Sequence, residues 1–109
     1  MNYMLIFTNE SQDDLRNGFL WYEEKRVGLG VDFMLAIEST MRVIERNPFT
    51  FSKAPTNIPN IRRAIVFKFS YSIFYTIIEQ SVVILSVVSS KQDMSIWKTL
   101  ILAVFYMKR

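Results

Sequence analysis

Ile61-Arg62-Arg63-Ala64-Ile65-Val66-Phe67-Lys68-Phe69-Ser70-Tyr71 alternates along its length. Arg63, Ile65, Phe67 and Phe69 fall on one side, and Arg62, Ala64, Val66 and Lys68 on the other. A two-residue period rich in β-branched and aromatic side chains predicts a strand. The stretch also carries basic and aromatic side chains that a purely structural strand does not need, so a working surface is expected here. Ser72–Ile78 is again rich in β-branched and aromatic residues, and Val82–Val88 is almost wholly apolar, with Glu79-Gln80-Ser81 as a compact turn between them. These segments predict a three-stranded antiparallel meander, and they decide the fold class.

Upstream the period changes. Tyr3-Met4-Leu5-Ile6-Phe7 reads as a short buried strand. Asn9 with Gln12 approximates a capping box, and Asp13 and Asp14 suit the positive end of a helix running to about Arg26. Leu15, Phe19 and Tyr22 form its stripe; Gly18 lies on the same face, where it permits close approach, and Trp21 flanks it. Val27-Gly28-Leu29-Gly30 breaks the helix. A second helix is predicted from about Val31 to Arg46, with Phe33, Ile37, Thr40, Met41 and Ile44 as its stripe and Asn47-Pro48 as its stop. So short a link implies an antiparallel helical hairpin. Residues 49–60, with Pro55 and Pro59, read as a loop. The expected architecture is α+β: an N-terminal strand, a two-helix hairpin, then the meander, with the hairpin on one face of the sheet.

The 109 residues are taken as one domain, 1–109. After a polar loop ending at Trp97, residues 99–109 form an apolar extension, Thr99-Leu100-Ile101-Leu102-Ala103-Val104-Phe105-Tyr106-Met107-Lys108-Arg109. The extension is too apolar to leave in water and too short to span a bilayer. It is expected to bury against the domain, the partner groove or a second copy, which would make a homodimer. Met1–Phe7 lacks the basic region of a signal peptide, so a soluble cytoplasmic protein without membrane attachment is expected.

Composition narrows the chemistry. The chain has no cysteine and no histidine, which excludes disulfides, thiol nucleophiles, zinc–thiolate sites and the usual neutral-pH acid–base group. No glycine-rich phosphate loop, metal-ligand cluster or nucleophile motif occurs, so neither metal nor cofactor is expected. Residues 1–52 hold five Lys/Arg and eight Asp/Glu, whereas residues 53–109 hold eight Lys/Arg against only Glu79 and Asp93. A basic second half points to a polyanionic or acidic partner.

Taken in order, these landmarks are similar to the RelE/ParE-like toxins of type II toxin–antitoxin systems, the plasmid stabilisation proteins. The resemblance runs through Asp14-Leu15, Trp21-Tyr22-Glu23-Glu24-Lys25, Gly28-Leu29-Gly30, Phe33, Ile44, Asn47-Pro48, Ile61-Arg62-Arg63, Phe69-Ser70-Tyr71, Ile73, Tyr75, Val87-Val88, Asp93 and Trp97. It implies a growth-inhibiting toxin neutralised by a small cognate antitoxin. RelE-like members cut ribosome-bound mRNA, and ParE-like members poison DNA gyrase. The nuclease reading would use Arg62, Arg63, Lys68, Tyr71 and Lys91. The recognition reading would use Lys53, Arg62, Arg63, Lys68 and Trp97 to hold target or antitoxin. The chain departs from the family pattern where Phe-Pro-Tyr becomes Phe69-Ser70-Tyr71, and where a His and Arg-Asp-Pro become Ser89 and Gln92-Asp93-Met94. Those losses favour the ParE-like, gyrase-binding side. The alternatives are a ribosome-dependent mRNA endonuclease and a degenerate member that only binds antitoxin.

Overall fold

A computed structural model describes residues 2–56 and 58–89. Lys91, Trp97 and the extension 99–109 lie outside the described residues. The elements run β1 (Met4–Phe7), α1 (Asn9–Lys25), α2 (Leu29–Arg46), β2 (Ile61–Val66), β3 (Tyr71–Ile78) and β4 (Ser81–Ser89). They form one sheet in the order β1-β4-β3-β2. β2, β3 and β4 pair antiparallel as the expected meander, and β1 joins β4 in parallel, with Met4 opposite Ser81. A β-bulge shifts the β3–β4 register, so that Phe74 faces Ser86 while Tyr75 faces Ile84. The extra residue, Leu85, changes the phase of β4 and lets Ile84 and Val87 both meet the helices.

The apolar stripe of α2 forms as expected. Phe33, Ile37, Met41 and Ile44 bury against Ala64, Val66, Ile73, Tyr75, Val82, Ile84 and Val87, with Leu15 and Tyr22 of α1 at the border. Gly18 gives the close approach its position implies, since an added Cβ would stand 2.8 Å from the Phe33 ring. A second cluster, Ala54, Ile61, Phe74, Leu85 and Val88, lies on the opposite face of the sheet.

Several boundaries differ from expectation for local reasons. The α1 cap is Thr8 rather than Asn9: its hydroxyl accepts from the Ser11 N–H at 3.1 Å and donates to the Ile84 carbonyl at 3.0 Å, joining helix start to sheet. Gln12 instead donates to the Phe7 carbonyl. α2 starts at Leu29 rather than Val31. Glu23 of α1 accepts from the Gly28 and Gly30 N–H groups, each at 2.9 Å, and so satisfies the orphan donors of the next helix. That carboxylate is a cap, where the sequence suggests a solvated helix end. Gly28 itself sits at φ 89°, which only glycine adopts without strain. β2 stops at Val66 and the chain turns through 67–70, so Phe69 leaves the side of Arg63 and enters the helix-facing core.

Candidate functional site

The tip of the β2–β3 hairpin, Phe67 to Ser70, is held by an aromatic group. Phe69 meets Tyr22 edge-on at 5.0 Å and Phe33 at 5.5 Å between ring centroids, and Tyr71 stacks against Phe33 at 5.0 Å. The Tyr22 hydroxyl donates to the Phe69 carbonyl at 3.3 Å. Two non-glycine residues of this tip adopt left-handed backbone, Lys68 at φ 84° and Ser70 at φ 52°. Such residues carry strain that the surrounding contacts must hold in place.

Lys68 and Phe69 border two grooves. One, of about 750 Å³, runs between α1 and the end of β4 and is lined by Asp14, Trp21, Tyr22, Lys68, Tyr71 and Val87 among others. The second, of about 660 Å³, lies between α2 and the hairpin tip, with Leu29, Leu35, Ala36, Ser39, Thr40 and Phe67 among its walls. Phe67 is 83% exposed and Ile65 60% exposed, and Val31 and Leu35 are exposed on α2. Apolar side chains left in water at a groove mark an interaction surface.

In the first groove the Asp14 carboxylate accepts from the Val87 N–H at 2.9 Å. It caps β4 beyond Ile84, the last residue β1 pairs. Burial raises its pKa, against the lowering effect of that hydrogen bond, and Asp13 and Glu10 add to the rise. Burial also raises Tyr71, with Tyr22 and Asp14 contributing. Tyr22 is raised by burial as well. The groove's two phenols are therefore held protonated, the reverse of what a general base at neutral pH requires.

The basic residues are dispersed. Arg62 points to the helix side of β2, where its guanidinium donates to the Phe51 carbonyl at 2.6 Å and lies 5.1 Å from the centre of the Phe49 ring. Beside it the buried Tyr75 hydroxyl donates to the Pro48 carbonyl at 2.7 Å. Burial pushes the Tyr75 pKa up to about 12, even with Arg62 pulling it down. Arg62 and Tyr75 thus pin the chain that leaves α2. Arg63 alternates to the opposite face, opposite Phe74. Lys53 bridges to Arg62 through its backbone at the outer edge of β2 and is exposed. Of the residues chosen from sequence, only Lys68 and Tyr71 share a groove. Lys53, Arg63 and Lys68 form no ion pair among the described residues. No three acidic, histidine or cysteine side chains gather to hold a metal among the described residues.

Sequence reasoning missed Asp14 and Phe67 as surface features. Phe67 carried a signal in its alternation with Arg63 and Ile65, but Asp14 reads simply as a helix-start acid.

The order of elements and the mixed sheet define an α+β fold shared with bacterial toxins. Residues 5–94 match the family described as ParE toxin of type II toxin–antitoxin system, parDE. The chain belongs to that family. No curated protein matches the sequence significantly. Among solved structures, a chain of the chromosomal ParDE toxin–antitoxin system from P. aeruginosa superposes with a TM-score of 0.68 at 14% identity, covering 78% of this chain and 92% of that one. A mutant of the E. coli toxin RelE in the free state gives 0.63 at 14% identity, covering 90% and 93%. The isolated E. coli RelE toxin gives 0.55 at 18% identity, covering 90% and 95%.

Proposed function

We propose that this toxin halts growth by binding a cellular protein, DNA gyrase, and that a cognate antitoxin with an acidic segment neutralises it. The observation that carries this reading is the dispersal of the basic residues. Arg62 is engaged with the Phe51 carbonyl, Arg63 stands on the other face of the sheet, and Tyr71 sits in an α1 groove with a raised pKa. A nuclease needs such groups converging on one phosphate, with a proton acceptor within reach. The exposed surface of Ile65, Phe67 and Leu35, flanked by the unpaired cations Lys53, Arg63 and Lys68, suits protein contact instead. The matched family description and the ParDE neighbour support the antitoxin as partner. Lys91 and Trp97 remain part of the proposed set.

Induction in cells separates the mechanisms. The expected outcome is growth arrest with loss of plasmid supercoiling, while primer extension shows intact translated mRNA. Discrete cuts in that mRNA, lost in Arg63→Ala, would establish the RelE-like endonuclease. Normal growth would establish a degenerate member that only binds antitoxin.

A further inference from the structure

The face of the sheet turned away from the helices is covered, and loop 51–60 accounts for only one end of it. Ala54 and Ile58 of that loop pack at Ile61, which lies opposite Thr76. Four residues further along β2, about 13 Å at the strand rise, Ile65 lies opposite Ser72, and Ser72 lies opposite Val88. There Ile65 is 60% exposed, yet Ser72 and Val88 are each 5% exposed and Phe74 only 1%. Side chains on a bare sheet face do not reach such values. Among the described residues, the partly buried hydrophobic neighbours of this cluster are Ile58 and Val83, which do not extend to Val88. The burial belongs to one isolated chain, so neither a second copy nor a partner supplies it.

We propose that residues 99–109 of the same chain seat on this face over Phe74, Leu85, Ser86 and Val88. Residues 90–98 leave β4 at this end, directly after Ser89, and span up to about 30 Å when extended. That exceeds the roughly 15 Å width of the four-stranded sheet. The segment is apolar from Leu100 to Met107 and suits an apolar face. The Ser86 hydroxyl is buried without a hydrogen-bond partner, which fits a cover that brings hydrocarbon rather than acceptors. The family match ends at residue 94, so the cover is an addition of this chain to the matched fold. It closes the central strands to partners and leaves the β2 edge, with Arg63, Ile65 and Phe67, as the open surface.

The chain has no cysteine, so a spin label on Lys108→Cys of the full-length protein is unique. Paramagnetic broadening of the Phe74, Leu85 and Ser86 amides is expected to exceed that of Leu35 and Val43 on α2 at least twofold. The pattern should vanish in an equimolar mixture of labelled natural-abundance chain with unlabelled isotopic chain. Broadening that persists in the mixture assigns the cover to a second copy and overturns the proposal. Broadening centred on α2, or none, overturns it too. A double substitution, Leu102→Asp with Val104→Asp, should speed hydrogen exchange at Phe74 and Leu85 about tenfold or more; unchanged exchange contradicts the assignment.

Discussion

Arg62 shows how a single residue changes meaning with its surroundings. Beside Arg63 in sequence it reads as half of a phosphate clamp, because two adjacent guanidiniums are what such a clamp needs. Strand alternation sends them to opposite faces, and that much is legible. What Arg62 does there is not, because its partner, the Phe51 carbonyl, lies in a loop without periodicity. Tyr75 completes the same anchor. Replacing it with Phe leaves the Pro48 carbonyl unpaired, and we expect a loss of about 1–2 kcal/mol in urea unfolding. Its folded pKa of about 12 lies above the unfolded value of about 10. The stabilisation from this phenol is therefore complete below pH ~10 and is lost as pH rises through about 12. Ultraviolet titration should show one tyrosine ionising last, and none so late in Tyr75→Phe.

Asp14 is a second residue whose role sequence hides, because Val87 is remote along the chain. Its folded pKa is raised above 3.8, so its contribution to stability is full below that value and declines as pH rises through the folded pKa. Asp14→Asn keeps an oxygen for the Val87 N–H without a charge to desolvate. We expect Asn to match or exceed wild-type stability at pH 7, and Asp14→Ala to fall about 1–3 kcal/mol below it.

At the scale of elements, the periods in the sequence carried most of the information. The α2 stripe and the three strands stand where the apolar repeats place them. Ends moved because capping groups come from elsewhere: Glu23 on α1 extends α2 by two residues, and Thr8 ties α1 to β4. The hairpin tip moved because alternation in sequence does not reveal where a strand stops. Lys68 there holds a left-handed backbone at about 1–2 kcal/mol of cost to a side chain. Lys68→Gly should raise unfolding stability by up to about 1 kcal/mol while weakening antitoxin binding. A variant that loses stability would show that the turn is held for its fold rather than for its cation. Gly30→Ala tests the helix seam: its Cβ would stand 2.7 Å from the Phe19 carbonyl, a backbone atom that cannot step aside alone. A loss of about 1–3 kcal/mol is expected on thermal unfolding.

For the whole molecule, the charge asymmetry along the chain becomes a spatial one at the β2 edge, where Lys53, Arg63 and Lys68 lack carboxylate partners among the described residues. Reversing all three to Glu should slow association with the antitoxin roughly tenfold or more at low salt and flatten its salt dependence. The family was legible in the order of landmarks and is shown by the match over 5–94. The target was not, because a binding surface on an edge strand leaves only exposed apolar side chains as its trace, and in sequence these look like core. The most direct measurement is supercoiling of relaxed plasmid by purified DNA gyrase, titrated with the purified toxin. Inhibition at micromolar protein, reversed by the antitoxin, is the expected result. Full supercoiling activity at that concentration, from toxin that still arrests growth, would contradict the account.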